Sequence, residues 1–377
     1  MERFDVAIVG TGPAGSTAAQ RLAEAGARVV VLDKAVLPRY KTCGGGVVGR
    51  ARRLFGTPVD RAVEHECRRA EVHLADAALR QVVERAEPLV SMTMRSALDA
   101  LLASGAAAAG ATLRSASRVR AIEPAHGGAV VRTERGALAA TFVIAADGAT
   151  GVTARTAGWP PHRHAVPALE WEVTVPESVH ARFAGTARFD FGGVPHGYAW
   201  VFPKRNHLSV GVLATRRGPA ALERWLEDYL RRVGVVGIER VERHGYVIPL
   251  RPLPGPLVRN RTIVVGDAAG FADPLTAEGI SGAALSGALA ARAVVASGGD
   301  ESRARRVYAR AVARDILPDL RAARRYARVL YDWPRLRAWV FRRRGRALAE
   351  ATAEVMTGNR SYREALGALR LLLPAVP

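Results

Sequence analysis

Residues 4–33 read FDVAIVGTGPAGSTAAQRLAEAGARVVVLD, and this stretch decides the fold. It begins with a short apolar run, residues 4–9, that is typical of a buried parallel strand. A glycine-rich turn, a helical stretch at 16–25 and a second apolar run at 28–32 follow, and Asp33 ends the stretch. Strand, glycine-rich turn, helix, strand and acid in this order predict a Rossmann-type unit that binds a dinucleotide.

Each glycine of the turn has a predicted task. Gly10 permits the tight turn, Gly12 lets the backbone approach a pyrophosphate, and Gly15 allows the helix to pack closely. The helix N-terminus offers free N–H groups and the positive end of its dipole to phosphate. The Asp33 carboxylate can accept from ribose hydroxyls and would repel a 2′-phosphate, so FAD or NAD is expected rather than NADP. The predicted contacts are Gly10, Gly12, Pro13, Ala14, Gly15, Asp33 and Lys34.

A second glycine-rich region lies far down the chain. The apolar run 262–265 leads into GDAAG at 266–270, and EGISG at 278–282 opens an Ala/Leu/Gly-rich helix. A carboxylate at the end of a strand can hold the hydroxyls of a ribityl chain. The N-terminus of the following helix can stabilise negative charge on a reduced flavin ring. The predicted cofactor contacts here are Gly266, Asp267, Pro274, Gly279 and Ile280.

These residues resemble the second FAD motif of the para-hydroxybenzoate-hydroxylase-like flavoproteins. A further match is the run 142–146, which leads into Asp147-Gly148 and resembles the Asp-Gly motif of that superfamily. Arg95 opens a segment similar to the superfamily's helix beside the FAD; the alternative is a solvated residue in a first helical turn. The resemblance implies FAD as the cofactor, with Arg95, Asp147 and Gly148 among its contacts.

The segment PRYKTCGGG at 38–46 resembles the P-x-x-K-x-C-G-G segment of the geranylgeranyl reductase family. The segments YAWVFP at 198–203, LSVG at 208–211 and GYVIP at 245–249 are similar to further signatures of that family. One departure is Ala277, where the family usually has glycine; its methyl group is tolerable unless this position needs a positive φ.

The resemblance implies an enzyme that reduces isolated double bonds of polyprenyl chains, carried by chlorophyll precursors, archaeal ether lipids or menaquinone. The predicted electron donor is NADPH or a reduced electron carrier. The alternative is a flavin monooxygenase or halogenase of the same superfamily, since residues 198–203 are partly similar to the W-x-W-x-I-P segment of halogenases. A non-catalytic flavin- or lipid-binding protein is the third hypothesis.

Cys43 and Tyr198 are the predicted catalytic residues, and the proton source is left open between them and bound water. Cations near Cys43 would lower the pKa of its thiol; the alternative is a small buried residue. Tyr198, Trp200 and Phe202 alternate, so they share one face of a strand and form either a substrate wall or a plain core face. Residues 204–207 are interpreted as a polar turn. The remaining predictions are Cys43, Gly44 and Gly45 for the cofactor, and Gly46, Tyr198, Trp200, Phe202 and Pro203 for the substrate.

The fold class is predicted as α/β: a Rossmann-type FAD-binding domain with an inserted, mostly antiparallel sheet and a C-terminal helical segment. The FAD-binding domain must be discontinuous, because its motifs are far apart in the chain. The predicted ranges are 1–57, 92–155 and 255–300 for the FAD-binding domain, 58–91 and 156–254 for the substrate domain, and 301–377 for the helical region.

The net charge of +20 favours phosphate, anionic lipid or nucleic acid as a partner. Much of this charge is arginine in 303–346, where Trp333 and Trp339 are interleaved; the segment predicts either peripheral membrane contact or a solvated arginine face. No nucleic-acid recognition module accompanies the charge, and no metal site is predicted. Two cysteines, no visible signal peptide and no apolar run of about 20 residues predict a cytoplasmic protein, with peripheral contact at the inner face of the membrane as its extension.

Overall fold

The structure is a computed structural model, and it describes residues 1–216 and 218–365. The strands are β1 (Arg3–Val9), β2 (Val29–Leu32), β3 (Gly46–Val48), β4 (Val63–Cys67), β5 (Arg69–Leu74), β6 (Leu79–Glu84), β7 (Val90–Thr93), β8 (Thr112–Arg114), β9 (Val119–Ala125), β10 (Gly128–Thr133), β11 (Gly136–Ala145), β12 (Ala165–Thr174), β13 (Thr186–Phe191), β14 (Gly197–Pro203), β15 (Leu208–Ala214), β16 (Arg240–Pro249), β17 (Val258–Arg259) and β18 (Thr262–Val264). The helices are α1 (Pro13–Glu24), α2 (Gly49–Arg52), α3 (Arg95–Ala108), α4 (Thr153–Thr156), α5 (Glu177–His180), α6 (Pro219–Arg232), α7 (Gly266–Ala269), α8 (Ile280–Ser297), α9 (Glu301–Asp315), α10 (Leu317–Asp332) and α11 (Pro334–Thr357).

The first sheet has the strand order β17-β18-β11-β1-β2-β8, and the β9–β10 hairpin extends it from β11. β1 lies between two parallel neighbours, with Ile8 opposite Ile144 of β11 and Val31 of β2. The central strands are buried on both faces, because Val6 and Ile8 pack with α1 and α8 whereas Ala7 and Val9 pack with the β9–β10 hairpin. The carboxyl ends of β1 and β2 therefore meet at one edge, where doubly wound folds place their ligands.

Helix α1 begins at Pro13, three residues before the predicted start. Proline has no N–H to lose at the first helical position, and its fixed φ suits that position. Gly26, with φ of 80°, ends the helix as predicted.

The second sheet has the order β16-β12-β15-β14-β13-β5-β6 and is antiparallel except for the β13–β5 pair. Strand β4, which falls within the predicted substrate domain, pairs instead with β7 in a small third sheet that also contains β3. The division of the chain into domains stays a prediction. A shared core joins β14 of the second sheet to α10 and α11, because residues of all three belong to one apolar cluster.

Helices α9, α10 and α11 form the C-terminal region, and predicted positions 366–377 lie outside the described residues. Tyr326, Leu330 and Phe341 turn into the protein core, while Trp333 and Trp339 are 40% and 36% exposed. Helix α8 is long and apolar enough to cross a bilayer by length and composition. Because 56% of it is buried inside the protein, it is weak evidence for a membrane span.

Candidate active site

A cavity of about 610 Å³ opens between the first and second sheets, which is within the size range of small-molecule sites. Most of the predicted site residues line it, although they come from distant parts of the chain. These are Gly10, Gly12, Pro13, Ala14, Asp33, Lys34, Cys43, Gly44, Gly45, Gly46, Arg95, Asp147, Gly148, Tyr198, Trp200, Phe202, Asp267, Gly279 and Ile280. Four predicted residues do not line the cavity: Gly15, Pro203, Gly266 and Pro274.

The turn between β1 and α1 forms one end of the cavity. Gly10 has φ of 105°, and a Cβ atom there would lie 2.4 Å from the Ala146 carbonyl oxygen. Gly15 lies behind the wall, since its own Cβ would meet the Gly10 carbonyl oxygen at 1.9 Å. The N-terminus of α1, with only the small residues Gly12, Pro13 and Ala14, thus lies at the cavity wall, which suits phosphate binding at a helix N-terminus. This cradle fits the predicted dinucleotide.

Asp33 lies beside this turn and is hydrogen-bonded to it. Its carboxylate accepts from the Thr11 backbone N–H at 3.0 Å and from the Ala35 N–H at 2.9 Å. Burial raises the pKa of Asp33, but the hydrogen bonds from Thr11 and Ala35 and the Arg39 charge outweigh burial and hold the pKa below its usual range. An ionised carboxylate therefore lies at the cavity wall, available to ribose hydroxyls.

Arg95 is buried rather than solvated, so the alternative of a solvated first-turn residue is wrong. Its guanidinium forms two hydrogen bonds with Asp99, at 2.8 and 2.9 Å, and Arg39 contacts the same carboxylate at 3.1 Å. Burial lowers the pKa of Arg95, but the Asp99 charge and contact with Cys43 outweigh it and raise the pKa above its ordinary value. The Arg95 guanidinium thus places a fixed positive charge beside Cys43 and near Gly12.

The loop that carries Cys43 is anchored by a residue that the sequence analysis misread. Lys204 was interpreted as part of a polar turn, but it is fully buried. Its Nζ donates to the carbonyl oxygens of Gly44 at 2.8 Å and Thr93 at 2.7 Å. Gly45, with φ of 69°, permits this approach, because a Cβ there would lie 2.3 Å from the Lys204 Nζ. The polar residues that follow Lys204 in the sequence gave no sign of this role.

Asp147 lines the cavity and carries a buried acceptor atom without a partner in the described residues. Its Oδ2 accepts from the Thr153 N–H at 2.9 Å and from the Thr153 hydroxyl at 2.8 Å. Its Oδ1 is buried and has no partner within residues 1–216 and 218–365. Burial raises the pKa of Asp147 against the hydrogen bonds from Thr153. A ligand that carries a donor would satisfy this oxygen, which fits the predicted cofactor.

The loop before α8 is held by Arg50, a contact that the sequence did not reveal. The Arg50 guanidinium contacts Asp273 at 3.2 Å and Glu278 at 2.9 Å, and its Nε donates to the Ser281 hydroxyl at 3.2 Å. Between these residues Ala277 has φ of 55°. The departure from the glycine of the family pattern thus falls on a position in the left-handed region, where a methyl group is strained.

The other end of the cavity is aromatic. Tyr198, Trp200 and Phe202 all line it, which confirms that they share one face of β14. Phe189 of β13 completes the wall, with its ring centroid 5.3 Å from that of Phe202. The Tyr198 hydroxyl donates to the Thr276 carbonyl oxygen, and burial raises the pKa of this phenol. Tyr198 is thereby tied to the loop before α8, and it must break this bond to donate a proton.

Two carboxyl groups for which the sequence gives no motif lie on β12, and one of them lines the cavity. Glu170 of β12 lines the cavity and is 1% exposed, and Glu172 is two residues further along the strand. The Tyr40 hydroxyl donates to Glu170 at 2.9 Å and the Ser209 hydroxyl at 2.7 Å. Burial, with the charge of Glu172, raises the pKa of Glu170 to about 8. The available signal was two glutamates on one face of an otherwise apolar strand.

Comparison with known proteins gives one matching family model and several similar sequences. Residues 3–183 match the family model of an FAD binding domain. The chain is 31% identical over 322 residues to a chloroplastic geranylgeranyl diphosphate reductase of Oryza sativa, covering 80% of this chain and 68% of that one. It is 32% identical to the menaquinone reductase of Mycolicibacterium smegmatis, with 78% and 77% covered. It is also 32% identical to digeranylgeranylglycerophospholipid reductase 1 of Methanopyrus kandleri, with 78% and 80% covered.

Solved structures agree with the predicted fold class. A geranylgeranyl bacteriochlorophyll reductase-like protein of Thermoplasma acidophilum superposes with a TM-score of 0.82, covering 99% of this chain and all of that one at 22% identity. The flavin-dependent brominase Bmp2 superposes with a TM-score of 0.74, covering 98% and 99% at 17% identity. At such identities the likeness concerns the fold alone, and it confirms the α/β FAD-binding fold with an added sheet and C-terminal helices.

Proposed function

Since this chain belongs to the geranylgeranyl reductase family of FAD-dependent oxidoreductases, we propose that it saturates carbon–carbon double bonds of a polyprenyl chain on a lipid, a diphosphate or a quinone. The observation that carries this proposal is one continuous cavity with a glycine-lined dinucleotide end and an aromatic end. A cavity of that kind brings a flat redox cofactor and an apolar chain into contact. The named relatives, which are reductases of prenylated compounds, support the same substrate class.

The cofactor would be held by the residues already described around the cavity. Gly12 and the N-terminus of α1 would face its pyrophosphate, Asp33 its ribose, and Asp267 its ribityl hydroxyls. Arg95 and the N-terminus of α8 would place positive potential beside its ring. FAD, once reduced, supplies a hydride to one carbon of the double bond. The chain itself must orient the alkene, exclude water and provide a proton.

The aromatic wall would perform the first two of these tasks. Tyr198, Trp200 and Phe202 are buried and follow one another along β14, with the Tyr198 and Trp200 ring centroids 5.8 Å apart. A wall of this kind binds a polyprenyl chain through apolar burial, at roughly 25 cal/mol per Å². It also keeps water away from charge that develops on an unactivated alkene. Cys43 lies at the junction of the two ends, where it would contact cofactor and substrate together.

The electron donor and the location of the enzyme are further parts of the proposal. NADPH or a reduced electron carrier would reduce the FAD from outside the cavity. Contact with an anionic membrane would use the basic surface of α10 and α11, where Trp333 and Trp339 are exposed and the Arg343 guanidinium lies 4.9 Å from the Trp339 ring centroid. Arginine and tryptophan side chains on one helical surface suit the lipid interface. Sedimentation with anionic vesicles, but not with zwitterionic ones, would support this contact.

The second candidate is a flavin monooxygenase or halogenase. It is favoured by the superposition of a flavin-dependent brominase over 98% of the chain. The reductase is preferred because the named reductases are 31–32% identical to the chain, whereas the brominase is 17% identical.

An anaerobic assay separates the two candidates. The purified holoenzyme would be reduced with dithionite, mixed with geranylgeranyl diphosphate or a menaquinone, and followed by flavin absorbance and lipid mass spectrometry. The reductase predicts a mass gain in steps of two hydrogens together with flavin reoxidation. The monooxygenase predicts no change under nitrogen and gain of an oxygen atom once air is admitted.

A further inference from the structure

The most unusual polar group in the described structure is the Glu170 carboxyl. It lies on β12 facing the cavity, yet it is 1% exposed and has no cation bound to it in residues 1–216 and 218–365. Its Oε2 accepts from the Tyr40 hydroxyl and its Oε1 from the Ser209 hydroxyl. A buried carboxylate without a cation is costly, whereas a protonated carboxyl is not. The surroundings therefore favour a proton on Glu170.

Glu172 continues from Glu170 towards the surface on the same face of β12. Its Oε2 contacts His207 Nε2 at 2.7 Å, and the His207 side chain is 15% exposed. Its Oε1 is buried and has no partner in the described part of the chain. A proton shared with Glu170 would satisfy this oxygen. Because two like charges cannot both be ionised cheaply in a buried site, the pair is expected to hold one proton.

The electrostatics indicate which of the two carboxyl groups holds that proton. Burial raises the pKa of Glu170 to about 8, and the charge of Glu172 adds to this effect. Burial also raises the pKa of Glu172, but the His207 hydrogen bond and the Lys204 charge outweigh it and lower that pKa. The proton therefore resides on the carboxyl at the cavity wall, and the ionised carboxylate lies nearer to solvent.

We propose that His207, Glu172 and Glu170 form a proton path from the surface to the cavity, with Glu170 as the group that gives up the proton consumed when a double bond is saturated. This rests on the proposed function. In each turnover the O–H bond of Glu170 breaks, and its proton forms a C–H bond with the π electrons of the alkene. The other carbon receives the hydride. The Glu170 carboxylate is then reprotonated through Glu172, and His207 takes the replacement proton from solvent.

The groups packed around Glu170 are suited to position it. His244 lies opposite Glu170 on β16 and stacks on the Tyr40 ring with 4.1 Å between centroids. The Ser209 hydroxyl on β15 also lies within 3.5 Å of the Trp200 indole nitrogen. Tyr40 and Ser209 are therefore positioning residues that aim the carboxyl. Burial raises the pKa of Tyr40 well above its ordinary value, so this phenol stays neutral.

The first test needs no substrate. The holoenzyme would be labelled with ¹³C at glutamate Cδ, and the carboxyl resonances would be followed by NMR from pH 4 to 10. We expect one resonance that titrates near pH 8, lost in Glu170→Gln and retained in Glu242→Gln. Glu242 is the matched control because it lies opposite Glu172 on β16 but is 46% exposed. If every glutamate of the wild type titrates with an ordinary carboxyl pKa, the proposal is overturned.

A second variant keeps the test decisive if Glu170→Gln does not fold. In Glu172→Gln the like charge beside Glu170 is removed, so the high-pH resonance should move to lower pH. An unchanged resonance would show that the two carboxyl groups do not share a proton. That result would also overturn the path.

The kinetic test uses the dithionite-reduced holoenzyme and a geranylgeranyl substrate under nitrogen. Glu170→Gln should bind and reduce FAD normally but saturate the chain roughly 100-fold more slowly or worse, as for loss of a general acid. At an assay pH below the midpoint at which Glu170 titrates in that variant, Glu172→Gln should complete a first turnover at the normal rate and slow in later ones, because only the resupply is interrupted. A wild-type rate in Glu170→Gln overturns the path. If the wild type saturates no polyprenyl chain, the proposed function fails, and the NMR titration alone decides whether Glu170 holds a proton at the cavity wall.

Discussion

Lys204 Nζ donates a hydrogen bond to the Gly44 carbonyl oxygen at 2.8 Å, although 160 residues separate them in the chain. The same Nζ donates to the Thr93 carbonyl oxygen at 2.7 Å. One buried ammonium group therefore joins the end of β14, which carries the aromatic wall, to the loop that carries Cys43. The substrate end and the cofactor end of the cavity are thus held in a fixed relation.

Replacing this lysine should weaken cofactor binding. Lys204→Met leaves two buried carbonyl oxygens without donors, at about 1–3 kcal/mol each, so the Cys43 loop should lose its fixed position. We expect FAD affinity to fall at least about tenfold, which corresponds to 1.4 kcal/mol. Titration of the apoprotein with FAD by fluorescence quenching measures this. Arg205→Met, at the exposed neighbour, is the control, and equal affinity in both variants would contradict the anchoring role.

Ala277→Gly should stabilise the protein. Ala277 has φ of 55°, where a side chain costs about 1–2 kcal/mol, and part of this is offset by the greater freedom of glycine in the unfolded chain. We expect the free energy of unfolding to rise by up to about 1 kcal/mol, measured by urea denaturation. Ala291→Gly, in the middle of α8, should have the opposite sign because it removes helix propensity and a buried methyl group without relieving any backbone strain. A loss of stability in both variants would argue against strain at position 277.

The two cysteines should differ in reactivity. Cys43 is half-buried on the cavity wall, whereas Cys67 is fully buried and burial raises the pKa of its thiol to about 12. Because the thiolate is the reactive species, iodoacetamide should label the apoprotein once, at Cys43. Saturating FAD should protect it. Peptide mass spectrometry locates the label, and modification of Cys67 at a similar rate would refute this assignment.

A change behind the aromatic wall should separate substrate binding from cofactor binding. A Cβ atom at Gly211 would lie 2.0 Å from Trp200 Cζ2, so Gly211→Ala must push the indole towards the cavity. Such overpacking costs about 1–3 kcal/mol, and we expect KM for the polyprenyl substrate to rise about tenfold. FAD affinity should not change. Gly218→Ala is the control, because among the described residues no atom beyond its chain neighbours lies within 4 Å of its added methyl group. Equal KM values would rule out the wall at Trp200.

Glu170 should make stability depend on pH. Burial raises its pKa to about 8 in the folded protein from an ordinary value of 4.5. Between these pH values the folded protein keeps a proton that the unfolded chain has released, so the free energy of unfolding falls as pH rises through this window. The glutamine in Glu170→Gln does not titrate, so this part of the pH dependence of the free energy of unfolding should be lost. Urea denaturation at several pH values from 5 to 8 compares the two slopes, and parallel curves would count against a protonated Glu170.

The strand–turn–helix unit was predictable because its contacts are local. The Gly10 turn, the Gly26 stop and the apolar strands on either side depend on backbone conformation within about 30 residues. The alternation of aromatic residues along 198–203 similarly predicted that Tyr198, Trp200 and Phe202 share one face of a strand. The predicted start of α1 lies three residues too late, because Pro13 belongs both to the glycine-rich turn and to the first turn of the helix.

The residues that the sequence analysis missed act through long-range contacts. Lys204 follows a strand and precedes Arg205 and Asn206, so it has the local pattern of a solvated turn. The burial of Lys204 depends on its contact with Gly44, which is distant in the sequence. Nothing in its local sequence distinguishes Arg50 from the other arginines. Its partner Glu278 lies 228 residues further along the chain.

The sequence by itself determined the dinucleotide-binding unit, the family and the aromatic face, since backbone preferences and side-chain periodicity are properties of neighbouring residues. Only the tertiary structure decided which polar groups are buried and which residues they contact. Glu170 meets Tyr40 across 130 residues of chain, and its proton affinity arises from that burial and from the charge of Glu172. Burial and electrostatics depend on everything that packs around a group, and a linear pattern does not contain that information.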